Sequence, residues 1–200
     1  MIACALWDEG EIWMSFLVAL AFHCYFRPSE PMRTTGADIT PPLGYGSHVD
    51  WSIVLHPFER QITSKTKAVD ETVRVDLDQF RFLESGLATL VQTRGPNDLL
   101  FSFTQAQWAA KFAAAAKRVG AGALDPQLYQ LRHSGPSFDY AARLRTIQEI
   151  KLRGRWGADN SVRRYEKSGR VTEQLRRLSR EKQQLARKAP GRLATLLSQL

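Results

Sequence analysis

Residues 13–26, WMSFLVALAFHCYF, form the most apolar stretch of the 200-residue chain and restrict the folds that are open to it. They predict a helix over residues 9–26 that is apolar on almost every side, which is typical of a helix buried at the centre of a domain. The stretch is too short to cross a bilayer. Acidic residues precede it, so a secretory signal peptide is not predicted either. We therefore expect a soluble, intracellular protein, which would be nuclear if its host is a eukaryote.

The rest of the chain predicts further helices around a small sheet. Residues 34–48 are predicted as a loop, 51–57 as a strand, 60–77 as two strands around a polar turn, and 78–95 and 104–120 as amphipathic helices. Thr104 can cap the start of the second of these helices, and Gly120 lies just beyond its end. The predicted fold class is α+β, mostly helical, with a small three-stranded antiparallel sheet.

A helix is also predicted around Tyr165, near the end of a domain that spans residues 1–169. Its start can be capped by one of three polar residues, Asp159, Asn160 or Ser161. Gly169 can end it, because glycine tolerates the left-handed conformation in which many helices terminate. We therefore expect a hinge at Gly169.

Residues 170–200 are predicted to form a basic helical tail. They hold eight Arg or Lys and two Glu, a net charge of +6 out of +8 for the whole chain. So basic a segment favours a polyanionic partner, nucleic acid before an acidic membrane surface. The tail helix is predicted over about residues 172–188 and stops before Pro190. Its leucines share one face at helical spacing: Leu175, Leu178 and Leu185.

Two stretches combine arginines with other chemistry-bearing residues. FRPSEPMRTTGADI carries Arg27, with Glu30 three residues later. LYQLRHSGPSFDYAARLRTIQEIKLRGRWGADNSVRRYEK carries Arg132, then Trp156 and, nine residues after the tryptophan, Tyr165. Guanidinium groups donate paired hydrogen bonds to phosphate and stay charged, so the arginines are suited to a phosphate ligand as well as to structural ion pairs.

Together with TSKTK, which places Lys65 in the predicted hairpin, these stretches resemble the catalytic domain of the tyrosine recombinases, the phage-integrase family. The resemblance covers roughly residues 12–168 and depends mainly on the second stretch. It implies the catalytic-domain fold of that family, double-stranded DNA as the partner, and self-association on DNA through the segment after the tyrosine.

The resemblance implies breaking and rejoining of DNA strands, in site-specific recombination or integration. Tyr165 would attack a phosphodiester and form a 3′-phosphotyrosine, which conserves the bond energy, so neither a cofactor nor a metal is expected. The other implied roles are phosphate binding by Arg27 and Arg132, general acid catalysis by Lys65, a hydrogen bond from the Trp156 indole to a phosphate oxygen, and orientation of a cationic neighbour by Glu30.

The chain departs from the family pattern at Tyr129, where the second motif usually has a histidine. Tyrosine donates a hydrogen bond but is a poor base at neutral pH. The resemblance also begins too near residue 1 to include the DNA-clamping domain that usually precedes the catalytic one. A fragment, a minimal relative and a decayed copy are all open at this point.

Other functions also fit parts of the pattern. One is a catalytically weak or inactive DNA-binding relative, which Tyr129 favours; another is an enzyme like the type IB topoisomerases, which share the chemistry but relax DNA. Each site residue also has a structural interpretation when taken singly: Trp156 and Tyr165 as packing aromatics, Lys65 as a solvated surface charge, Arg27 as a charge partner at a helix end. Only their joint order favours the enzyme.

Overall fold

The computed structural model describes residues 1–46, 49–58, 71–166 and 169–200. In these ranges the chain is mostly helical with a small antiparallel sheet, which confirms the predicted α+β class. The helices are α1 (Ile2–Asp8), α2 (Ile12–Cys24), α3 (Glu84–Thr93), α4 (Gln105–Arg118), α5 (Leu128–Ala141), α6 (Ile147–Arg153), α7 (Gly169–Arg176) and α8 (Arg180–Leu197). The strands are β1 (Ile39–Thr40), β2 (Trp51–Leu55) and β3 (Glu71–Val75).

Helix α2 is the centre of the domain, as the apolar stretch predicts. Phe16, Leu17 and Leu20 are at most 1% exposed, and α1 and α5 pack against the helix. Its predicted bounds of 9–26 are too wide. Gly10 takes a positive φ of 79° in the connection from α1, and Tyr25 takes a left-handed φ of 54° that ends α2 at Cys24. In the described part of the chain, no helix combines the length and apolar character that a membrane span needs.

The three strands are ordered β1-β2-β3 and are antiparallel. Ile53 on β2 lies opposite Ile39 on one side and Val73 on the other, and all three side chains are buried. Strand β2 falls where a strand was predicted, but β1 lies in a segment predicted as a loop. A two-residue strand shows no alternation by which a sequence could reveal it. The first strand predicted within residues 60–77 lies largely outside the described residues.

The helix predicted from residue 104 is confirmed together with its cap. Thr104 Oγ1 accepts a hydrogen bond from the Gln107 N–H at 3.2 Å, and the Gln107 side chain accepts one from the Thr104 N–H at 2.8 Å. Gly120 follows the helix with a φ of 74°. The helix predicted over residues 78–95 instead begins as a 3₁₀ segment, Asp78–Leu83, before α3.

The segment around Tyr165 is not the predicted α-helix. It forms two short 3₁₀ turns, Asp159–Ser161 and Arg163–Glu166, and Gly169 begins α7 rather than ending a helix. The tight 3₁₀ spacing brings side chains three residues apart onto one side. Val162 and Tyr165 have this spacing and are each 3% exposed. Burial of this pair therefore accounts for the tighter turn.

The predicted tail helix is wrong in two respects. The chain breaks into α7 and α8, where Ser179 caps α8 by accepting a hydrogen bond from the Lys182 N–H at 3.3 Å. Helix α8 then continues through Pro190 to Leu197 instead of stopping. Proline inside a helix costs about 3 kcal/mol, and packing of Leu193 and Leu197 on the core offsets this cost.

The leucines of the tail consequently do not form one stripe. Leu178 lies in the connection between α7 and α8 and is buried. Leu175 and Leu185 are 44% and 46% exposed. Helix α8 contacts α1 and the Asp78–Leu83 segment of its own chain. The Leu197 carbonyl also accepts a hydrogen bond from Ser85 Oγ at 3.1 Å. In this structure the tail therefore folds back on the domain that precedes it.

Leu197→Ala should lower the free energy of unfolding by about 3 kcal/mol, because Leu197 is fully buried and its loss leaves a cavity. Leu185→Ala, on the same helix but half exposed, should change it by less than about 0.5 kcal/mol. Urea denaturation of both variants measures the difference. Equal, small effects would mean that α8 is not docked on the domain in solution.

Candidate active site

Helix α5 carries Arg132, whose side chain is almost wholly buried. The guanidinium donates one hydrogen bond to the Tyr25 carbonyl at 2.7 Å and one to the Gly154 carbonyl at 2.5 Å. It also lies over the Trp156 ring, 4.8 Å from the ring centroid. Arg132 therefore ties the end of α2 to the turn after α6. Burial, followed by the nearby charges of Arg155 and Arg27, lowers the pKa of Arg132 to about 10, which leaves it charged at neutral pH.

Tyr165 lies against the residue that follows Arg132. Its hydroxyl is 2.7 Å from His133 Nδ1, and its ring packs on Trp156 with ring centroids 5.5 Å apart. Adjacent residues on an α-helix point about 100° apart. Arg132 can thus enter the core while His133 faces the Tyr165 turn. His133 is not among the site residues predicted from the sequence, because its contact depends on a turn whose geometry the sequence did not predict.

Burial shapes the protonation of this pair. It raises the pKa of Tyr165 to about 12, although the charges of Arg164 and Arg132 act in the opposite direction. Burial, followed by the charges of the same two arginines, lowers the pKa of His133 to about 4. At neutral pH the tyrosine is therefore protonated and the imidazole neutral. In the tautomer that carries its proton on Nε2, His133 Nδ1 accepts the hydrogen bond from the Tyr165 hydroxyl, and the arrangement is then a phenol paired with a base.

Tyr129 lies at the edge of this pair. Its side chain is 55% exposed, and its ring meets the His133 ring edge-on with centroids 5.1 Å apart. Tyr129 therefore contacts the base of the pair from the solvent side. The histidine of this region is thus residue 133, four positions along the same helix from Tyr129, and its Nδ1 contacts the Tyr165 hydroxyl.

Arg27 and Glu30 form an ion pair, with 2.7 Å between Arg27 Nη1 and Glu30 Oε1. Glu30 is 4% exposed and also accepts from the Arg27 backbone N–H at 2.7 Å. Glu30 thus contacts a cationic neighbour, and its role in orienting that neighbour stays a prediction. A second guanidinium, that of Arg155, binds the other carboxylate oxygen at 2.7 Å. The sequence did not predict this contact.

Trp156 is partly buried and packs among the other site residues. Its ring contacts the rings of Tyr25, His133 and Tyr165. Trp156 thus has packing contacts, and the hydrogen bond from its indole to a phosphate stays a prediction. Lys65 lies outside the described residues.

The structure brings four of the predicted residues into one region: Arg132, Trp156 and Tyr165 in direct or ring contact, and Tyr129 beside them. Arg27 joins this region from the end of α2, near enough for its charge to act on Arg132. No cluster of three or more His, Cys, Asp or Glu that could hold a metal ion occurs in the ranges described. Comparison of the chain with protein-family models, curated proteins and solved structures gave no match.

Proposed function

We propose that the protein breaks and rejoins DNA strands through a 3′-phosphotyrosine at Tyr165. The observation that carries this proposal is the Tyr165 hydroxyl held at 2.7 Å from a neutral imidazole, beside the buried cation Arg132. A phenol is a weak nucleophile until a base accepts its proton. Such a pair next to a guanidinium suits attack on a phosphodiester, whose charge the cation stabilises.

In the proposed reaction, His133 Nδ1 takes the Tyr165 proton as the phenolic oxygen bonds to phosphorus. The bond from phosphorus to the 5′-oxygen breaks, and that oxygen leaves as a hydroxyl after it receives a proton. Lys65 is the proposed proton donor, on the resemblance alone. Arg27 and Arg132 stabilise the charge on the non-bridging oxygens, a contribution that is worth about 3–4 kcal/mol for one well-placed donor. Attack by the freed 5′-hydroxyl of a second strand end reverses the step.

The site must open before a phosphate can reach it. Tyr165 is 3% exposed and Arg132 is 1% exposed. Each Arg132 Nη group has two N–H bonds and uses one of them on a backbone carbonyl. We propose that DNA binding opens the site and frees the remaining N–H groups of Arg132, while the hydrogen bond between Tyr165 and His133 is retained. This closed state also favours a second candidate function, a DNA-binding protein that does not cleave.

Double-stranded DNA is the proposed partner, and the basic residues 170–200 are proposed to supply much of the affinity. Their net charge of +6 would release counterions from the phosphate backbone. Self-association on DNA is a further part of the proposal. Leu175 and Leu185 are half exposed and so remain available to a neighbouring copy.

The test is covalent attachment to a duplex library with randomised sequence on both sides of a nick in one strand. Cleavage near the nick releases a short fragment, so the reaction cannot reverse and the protein stays on the 5′-labelled strand. A labelled band of reduced mobility on a denaturing gel supports the enzyme. Binding without any such band supports the non-cleaving alternative.

The rate of adduct formation should stay level from neutral pH down to about pH 5 and fall as the pH drops through about 4. The reason is that His133, with its pKa lowered to about 4, remains a neutral base until then. His133→Asn keeps an acceptor oxygen that does not titrate, so the ratio of wild-type to variant rates isolates the histidine. If the ratio of the wild-type rate to the His133→Asn rate instead falls as the pH drops through about 6.5, His133 is an ordinary, solvated histidine.

A further inference from the structure

Arg155 has a backbone conformation that is unusual for its residue type. Its φ is +57°, in the left-handed region that favours glycine, and it lies between Gly154 and Trp156 in the turn after α6. A residue other than glycine stays in this region only when its surroundings hold it there. The Arg155 side chain is 6% exposed, so the holding contacts are internal.

Two carboxylates hold the Arg155 guanidinium. Glu30 Oε2 lies 2.7 Å from Nη2, and Glu71 Oε2 lies 3.5 Å from Nε. Arg27 Nη1 contacts the other oxygen of Glu30, also at 2.7 Å. One buried carboxylate thus bridges two guanidinium groups whose residues are distant in sequence. The bridge fixes the end of α2 relative to the turn that carries Trp156.

The charges of this cluster suit one phosphate. Arg27, Arg132 and Arg155 bring three guanidinium groups, whereas Glu30 and Glu71 bring two carboxylates. These five side chains together carry one positive charge, and Arg164 also acts on the neighbouring Tyr165, so the region is positive as a phosphodiester ligand requires. Without the two carboxylates, three cations in a site closed to solvent would repel one another, because burial strengthens interactions between charges.

We propose that Arg155 is a positioning residue, which acts through Glu30 to hold the Arg27 guanidinium where it meets the scissile phosphate. This inference rests on the proposed function and adds a residue to it. Arg155 itself need not touch DNA. Loss of the Arg155 side chain should slow DNA cleavage because the Arg27 guanidinium is no longer held in place. DNA affinity should stay close to that of the wild type, since the exposed basic residues remain.

The experiment compares Arg155→Gly with Arg143→Gly in the adduct assay on the randomised nicked duplexes. Arg143 also has a φ of +57°, but its side chain is exposed, so it is a matched control for relief of backbone strain. We expect Arg155→Gly to slow adduct formation about 100-fold and Arg143→Gly to leave it unchanged. The double variant with Arg27→Ala should be no slower than Arg27→Ala alone, because both changes remove one function.

Arg155→Lys guards against a folding failure of the glycine variant. It keeps the charge but cannot bind two carboxylates through a planar fork, so a rate about tenfold below wild type with an unchanged melting temperature is expected. If Arg155→Lys and Arg155→Gly both form the adduct at the wild-type rate, the inference is overturned. If Arg155→Gly does not fold, a wild-type rate in Arg155→Lys alone overturns it. The inference is also overturned if the rate of adduct formation in the double variant falls by the product of the two single-variant factors, those of Arg27→Ala and Arg155→Gly. Absence of any adduct from the wild-type protein would instead refute the proposed function, and this inference with it.

Discussion

Tyr165→Phe should abolish the covalent adduct, with a loss of at least about 10⁴-fold. Phenylalanine has no oxygen to attack phosphorus, and no other residue can replace the nucleophile in the proposed reaction. The fold should survive the change. The variant loses one hydrogen bond, to His133, at a cost of about 1 kcal/mol. DNA binding at several salt concentrations should therefore match the wild type.

Tyr140→Phe is the matched control for this variant. Tyr140 packs partly buried against the same aromatic cluster as Tyr165, so its change also removes a phenolic hydroxyl nearby. It should leave the yield of adduct within about twofold of wild type. An adduct that persists in Tyr165→Phe, or one lost equally in both variants, would refute Tyr165 as the nucleophile.

Arg132→Ala should be among the most destabilising single substitutions in the chain, lowering the free energy of unfolding by about 3–5 kcal/mol. The variant removes charged hydrogen bonds to the Tyr25 and Gly154 carbonyls and leaves both acceptors inside the protein. It also leaves a cavity beside Trp156. Arg132 would thus stabilise the closed state of the site, in addition to binding phosphate in the open state.

Urea denaturation of Arg132→Ala and of Arg187→Ala gives the comparison. Arg187 is exposed on α8, so its loss should change the free energy of unfolding by less than about 0.5 kcal/mol. A loss below about 1 kcal/mol for Arg132→Ala would mean that the guanidinium is solvated in solution, and the closed state described above would be wrong.

The sequence predicts those parts of the fold that depend on local patterns. The apolar stretch locates α2, and Thr104 locates the start of α4, because both signals act within one or two turns. The pairing of Arg27 with Glu30 is local in the same sense, since the two residues are three positions apart. Such contacts form wherever the backbone conformation is right.

The parts that the sequence does not predict depend on distant contacts. The 3₁₀ turn of Tyr165 follows from burial of Val162 and Tyr165 against other elements, and the path of α8 through Pro190 follows from packing on the core. The pairing of Glu30 with Arg155 joins residues 125 positions apart, so no local pattern reveals it. The contact of His133 with Tyr165 is not predicted for the same reason, since its partner comes from a separate turn.

The central claim is that Tyr165 becomes covalently bound to a DNA 3′-phosphate. The most direct measurement is mass spectrometry of the wild-type protein after reaction with the nicked duplex library and digestion with protease and nuclease. The account predicts one modified peptide, which contains Tyr165 and carries a nucleotide linked through its 3′-phosphate to the phenolic oxygen. A nucleotide on any other residue, or DNA that is bound but never attached, would contradict it.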